Sequence, residues 1–182
     1  MTNSIRAALT SCVFLAFFCY GCASRPDEQI RNATDAMNQA IEQRAEQYAP
    51  HEWKSAKDMW DTAQGQLSSQ SWTAAAGSLE TAKARFLKAR DAAKSERDSV
   101  LAEVKAMQTN IDGLYATFKA GMSNSKLSAA AKKDYLAACA DIDKRIGILN
   151  SLLSQGGYIE AKTTAQETLQ SIYFNRKKLQ GK

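Results

Sequence analysis

The residues that could carry catalysis are few, and their spacing matches no catalytic arrangement. His51 is the only histidine in the chain, so any Ser-His-Asp or Cys-His arrangement would depend on it. It lies between Pro50 and Glu52 at a predicted helix start, where an exposed first-turn residue is the simpler interpretation. The HEWKS segment lacks the second histidine, four residues on, that a two-histidine zinc helix requires. We therefore predict no metal site and no cofactor.

Cysteine and acidic residues add no catalytic signal. Cys139 falls on the apolar face of a predicted helix, where a thiol behaves as a small hydrophobic side chain. The carboxylate pairs Asp58 with Asp61 and Asp141 with Asp143 lie among lysines, as on a solvent-exposed helix face. The chain also lacks a glycine-rich phosphate loop. The sequence thus predicts that the protein is not an enzyme.

Three tryptophans form the candidate ligand site. Trp53 and Trp60 are spaced to share one face of a helix, and Trp72 follows the next turn. Rings placed in this way could line a groove for a cell-wall or lipid ligand. In a three-helix unit such rings more often form the core, because each can bury about 150 to 250 Å². Both interpretations remain open at this point.

Charge patterning argues against a nucleic-acid surface. The net charge is +5, and the basic residues between Lys83 and Arg97 alternate with Glu80, Asp91 and Glu96. Interleaved charges of both signs are typical of a solvated, salt-bridged helix face. We expect no nucleic-acid partner.

The elements that would position these residues are all helices. The chain has two prolines, Pro26 and Pro50, and both lie where a helix can begin, since a first-turn proline loses no intrahelical hydrogen bond. Apolar residues recur at the three- and four-residue intervals of a helical face. This spacing predicts an all-α, elongated antiparallel bundle of five helices, at 30–48, 53–67, 72–118, 135–153 and 158–179, with turns at 68–71, 121–125 and 156–157.

A weak internal repeat suggests how the bundle is organised. Aligning Trp53 with Cys139 also places Trp60 on Ile146 and Trp72 on Tyr158, as after a duplication. The repeat predicts two three-helix units, 22–95 and 96–182, which share the long third helix. Residues 94–99 form the junction between the two units. If the apolar pattern of the first unit continued through the junction, Glu96 would be buried, and if that of the second unit extended back into it, Arg97 would be buried. Because an unpaired buried charge is too costly, we predict that this turn is helical but uncovered.

The N-terminus has the pattern of an export signal. Arg6 precedes an almost wholly apolar segment, 7–18, which is shorter than the roughly 20 residues of a membrane-spanning helix. We therefore predict a signal peptide at residues 1–21. Cys12 and Cys19 would be removed with the signal peptide, which leaves Cys22 and Cys139 as the cysteines of the mature chain. Once Cys22 carries lipid, Cys139 would be the only free thiol.

The segment Cys19-Tyr20-Gly21-Cys22 resembles a bacterial lipoprotein lipobox. Gly21 and Cys22 match the small residue and the cysteine that becomes a diacylglycerol- and palmitate-modified N-terminus, whereas Cys19 and Tyr20 depart from the family's preferred leucine and small residue. The resemblance implies membrane anchoring through lipid on Cys22. Because Ala23 is not the aspartate of inner-membrane retention, it also implies the outer membrane. Ordinary signal-peptidase cleavage after Ala23, or Cys22 as an apolar filler, are the alternatives.

The hairpin at 48–89 carries a second resemblance. Ala49-Pro50, Trp72 and the alanines at 74–76 are similar to the Ala-rich helical hairpin of an uncharacterised family of bacterial envelope lipoproteins of unknown function. The Ser-Gln-Ser turn departs from the glycine-containing turn of that family. Together these patterns favour a non-catalytic scaffold or protein-interaction adaptor in the cell envelope, which binds a protein partner by helix packing. The alternative is a binding module for a cell-wall or lipid ligand.

Overall fold

A computed structural model describes residues 24–124 and 128–180. Over these residues the secondary structure is entirely helical, which confirms the predicted all-α class. The predicted signal peptide, 1–21, and the candidate lipidation residue Cys22 lie outside the described residues. The helices of the described part are α1 (Asp27–Glu42), α2 (Ala45–Tyr48), α3 (Pro50–Ser68), α4 (Trp72–Asn124), α5 (Ala129–Gln155) and α6 (Tyr158–Gln180).

The predicted first helix is interrupted. It was expected to run through 48, but α1 ends at Glu42 and Arg44 adopts a left-handed conformation with φ of 55°. Such a conformation costs a non-glycine residue about 1 to 2 kcal/mol. The break redirects the chain so that Ala45, Tyr48 and Ala49 are buried. Their burial offsets the local strain, which is a tertiary effect that periodicity does not reveal.

The chain divides into two compact units, the first ending at Ala93 and the second beginning at Lys94. In the first unit the buried faces are almost entirely alanine, which lets helix backbones approach closely. Phe86 is the largest fully buried side chain of this unit. Around it lie Ala36 and Ala40 of α1, Ala56 of α3, and Ala82, Ala89 and Ala93 of α4.

The core of the second unit uses larger side chains. It contains Val104, Ile111, Tyr115 and Phe118 of α4, Tyr135, Ile142 and Leu149 of α5, and Ala161, Ala165 and Ile172 of α6. The Ser128 hydroxyl caps α5 by accepting a hydrogen bond from the Ala131 amide at 3.2 Å. At the other end, Gly156 adopts a φ of 74°, the left-handed conformation that glycine takes at little cost. The predicted turn at 156–157 is confirmed.

Gly121 does not end the long helix. The sequence pattern predicts a stop at 121–125, and α4 ends within that range, at Asn124, after continuing through Gly121. A single glycine costs a helix only about 1 kcal/mol relative to alanine. The preceding turns are anchored by the buried side chains of Tyr115 and Phe118, so this cost does not stop the helix.

The turn at 94–99 lies within α4, and no side chain in it is buried. Glu96 is exposed, and Arg97, with 31% of its side chain exposed, pairs with Asp98 at 3.6 Å. Backbone amides with little tertiary cover open more easily than core amides. We therefore expect the amides of 94–99 to exchange with deuterium faster than those near Phe86 or Met107, measured residue by residue at native pH. Equal protection along all of α4 would contradict this expectation.

Candidate functional site

Two of the three candidate tryptophans pack on one buried ring. Trp53 and Trp60 lie on the same face of α3, and their ring centroids are 5.4 and 6.5 Å from that of Phe86 on α4. Both interplanar angles are steep, 57° and 65°, which is the tilted geometry that aromatic pairs prefer. Each tryptophan is half-buried. The inner sides of both rings therefore belong to the core of the first unit.

The outer side of Trp53 borders a depression of about 290 Å³. The depression also contacts Ile41, Arg44 and Glu46, together with Ala45 and Gln47. The apolar spacing of the predicted first helix, 30–48, includes Ile41 and so predicts that it is buried, but 53% of it is exposed. The depression thus combines an apolar floor with one basic and one acidic residue. Sequence reasoning missed it because it forms at the left-handed break.

Trp72 lies apart from the other two tryptophans. It begins α4 and borders a second depression, of about 510 Å³, together with residues 24–29, Thr73 and Ala76. Trp53 and Ser68 are separated along α3 by about 22 Å, at 1.5 Å per residue. The structure therefore brings Trp53 and Trp60 together on Phe86 and places Trp72 beyond the opposite end of α3.

Two arginines of α4 tie the tryptophan-bearing hairpin in place. The Nη1 of Arg85 donates to both the carbonyl and the hydroxyl oxygen of Ser55 on α3, each at 3.1 Å. The Nη1 of Arg90 donates to the Gln39 side chain on α1 at 2.6 Å. Hydrogen bonds from a charged donor are among the stronger ones in proteins. These contacts fix the register of α1 and α3 against α4.

Cys139 lies in a tyrosine-rich part of the second unit. It is half-buried, and its carbonyl accepts a hydrogen bond from the Tyr115 hydroxyl at 3.1 Å. The Tyr135 hydroxyl donates to the Phe118 carbonyl at 2.8 Å. Burial raises the pKa of both Tyr115 and Tyr135 well above the ordinary tyrosine value. Both hydroxyls therefore stay protonated and act as structural donors rather than as bases.

The other chemistry-bearing residues lie apart, on exposed faces. His51 is exposed in the first turn of α3. Asp58 and Asp61 each pair with a lysine four residues earlier, at 2.8 and 3.0 Å. Asp141 pairs with Arg145 at 2.8 Å. These residues form local ion pairs of the kind found along solvated helices.

A search of residues 24–124 and 128–180 finds no group of three or more histidine, cysteine, aspartate or glutamate side chains placed to hold a metal ion. In the same part of the chain, no helix combines the length and the apolar character needed to cross a bilayer.

No protein-family model, curated protein or solved structure matches this chain.

Proposed function

We propose that the protein is a lipid-anchored, non-catalytic scaffold or adaptor of the bacterial cell envelope, and that it binds a protein partner by helix packing. The observation that carries this proposal is the apolar segment 7–18, which is followed by Gly21-Cys22 and then by a described part of the chain whose elements are all helices. The lipid on Cys22 would place the helices at a membrane surface, with the outer membrane favoured by Ala23.

Energetics support lipid as the main anchor. Each buried acyl methylene contributes about 0.8 kcal/mol, so that two or three acyl chains exceed what a few surface charges supply at about 1 kcal/mol each.

Exposed apolar side chains support the adaptor role. Ile41 of the first unit and Ile148 of the second are 53% and 45% exposed, so each is accessible to an apolar side chain of a partner helix.

Replacing Cys22 with alanine is expected to release the protein from the membrane fraction and to abolish fatty-acid labelling. Helix content should not change, because Cys22 precedes the first described helix. Cell fractionation and metabolic labelling with a fatty-acid analogue measure the two effects. The matched control is Cys19→Ala, which removes a thiol from the same segment and should keep both anchoring and labelling.

A mature protein that begins at Ser24 and carries no lipid would overturn the anchoring proposal.

The adaptor role is tested separately, with a photoreactive residue at Ile148 of the anchored protein in intact cells. One protein partner should be captured there or from a photoreactive residue at Ile41, and no product should form with the unmodified protein, which lacks the photoreactive group. Absence of any captured protein from both Ile148 and Ile41 positions would argue against an adaptor.

A further inference from the structure

Three helix ends meet in the second unit. The rings of Phe118 on α4 and Tyr135 on α5 stack with centroids 4.7 Å apart, and the Tyr135 hydroxyl donates to the Phe118 carbonyl. Lys178 on α6 pairs with Asp134 on α5 at 3.3 Å. The last turns of α4 and α6 and the first turns of α5 therefore lie side by side, and we call this region the cationic end.

The cationic end carries a strong excess of positive charge. Across the described residues 115–124, 128–138 and 170–180, the only acidic residue is Asp134, which is paired with Lys178. In the other described residues of the second unit, 94–114 and 139–169, eight acidic residues accompany six basic ones. The exposed basic residues of the cationic end are Lys119, Lys132, Lys133, Arg176, Lys177 and Lys178.

Helix stabilisation does not account for this charge. Lys177 and Lys178 lie in the last turn of α6, where a cation interacts favourably with the helix dipole. Lys132 and Lys133, by contrast, lie at the N-terminal end of α5, whose first turn has no acidic residue. Positive charge is unfavourable at a helix N-terminus. The dipole of α5 therefore does not stabilise Lys132 and Lys133.

Large apolar side chains are exposed in the same region. Phe174 is 70% exposed, and Tyr173 and Leu136 are each 52% exposed. Phe174 precedes Lys178 by one helical turn, so the two side chains share a face of α6. Protein segments that lie at a membrane interface typically combine aromatic rings at the level of the lipid headgroups with neighbouring Lys and Arg side chains.

We propose that the cationic end docks on an anionic phospholipid surface. The basic side chains would contact lipid phosphates, and Phe174 and Tyr173 would enter the boundary between headgroups and acyl chains. An acidic protein partner would match the charge alone, whereas a bilayer of anionic lipid matches both the charge and the exposed rings. The inference is independent of the lipid on Cys22, since it rests only on residues of the second unit.

The test uses the full chain, held on beads through an N-terminal affinity tag. The beads are mixed with fluorescent vesicles of phosphatidylcholine, with or without phosphatidylglycerol. We expect capture of the vesicles that contain phosphatidylglycerol to exceed capture of neutral vesicles, and added salt to reduce the difference. Equal capture of both vesicle types would overturn the proposal, because any contribution of the apolar N-terminal segment is common to both.

Variants locate the effect. Arg176→Gln with Lys177→Gln should weaken binding of phosphatidylglycerol vesicles about 25-fold, at about fivefold for each neutralised charge. Phe174→Ser should weaken it about tenfold. The matched controls are Lys88→Gln with Lys94→Gln and, for the apolar change, Ile159→Ser, at a residue of α6 that is 36% exposed and lies outside the cationic end. Lys88 and Lys94 are exposed and lie outside the cationic end, so binding should not change.

All of these positions are exposed, and circular dichroism checks that each variant stays helical. Wild-type binding by the Arg176→Gln, Lys177→Gln variant would overturn the proposal. If polyglutamate is retained by the cationic end while phosphatidylglycerol vesicles are not, the partner is an acidic protein and the lipid proposal is wrong.

Discussion

Truncation of Phe86 to alanine is expected to destabilise the first unit by about 3 to 5 kcal/mol. Phe86 is fully buried, and its ring contacts both Trp53 and Trp60. The alanines that surround it cannot extend to fill the space left behind, so the cavity would persist. This loss is a large share of the free energy of unfolding of a typical domain, which is roughly 5 to 15 kcal/mol.

Urea unfolding followed by tryptophan fluorescence measures this effect selectively. All three tryptophans, Trp53, Trp60 and Trp72, precede the boundary at Ala93, so their emission reports on the first unit. The matched control is Ile41→Ala, which truncates an apolar side chain of the same unit at a site that is 53% exposed and should change stability by less than about 0.5 kcal/mol. A loss below about 1 kcal/mol at Phe86 would show that the core collapses around the gap.

Truncation of Tyr135 to alanine is expected to cost the second unit about 3 to 5 kcal/mol. The Tyr135 ring is 2% exposed and stacks on Phe118, and its hydroxyl donates to the Phe118 carbonyl. The truncation therefore removes a ring stack and a buried hydrogen bond together. Native-state hydrogen exchange at the α5 amides near Ile142 and Leu149 measures the loss, because the second unit contains no tryptophan.

Replacing Tyr135 with phenylalanine separates the two contributions. It keeps the ring and removes only the hydroxyl, so we expect a loss of about 0.5 to 1.5 kcal/mol. Tyr173→Phe is the matched control, since Tyr173 is 52% exposed and should change stability by less than about 0.5 kcal/mol. Equal losses for the phenylalanine and alanine variants would show that the hydrogen bond, rather than ring packing, holds these helix ends together.

The candidate tryptophans show how far a site can be predicted from local spacing. That Trp53 and Trp60 share a face follows from the helical repeat alone, and the structure places them there. That this face meets Phe86 depends on how α3 packs against α4, which involves residues distant in sequence. The depression beside Trp53 was not predictable, because it requires the left-handed conformation of Arg44.

The sequence by itself determined the features that depend on neighbouring residues. The all-α class follows from the spacing of apolar residues, and the turn at 156–157 follows from the conformational freedom of glycine. In each case the interactions that favour the feature lie within a few residues of one another, so the local sequence pattern is enough to predict it.

Only the tertiary structure decided the features in which packing outweighs local preference. Arg44 breaks the first predicted helix because Ala45 and Tyr48 gain burial, and Gly121 stays helical beyond the packed turns of Tyr115 and Phe118. The cationic end likewise joins residues near 119, 133 and 177, which are unremarkable in sequence. Their charges act together because helix packing brings three helix ends to one place, and electrostatic energy depends on distance in space rather than along the chain.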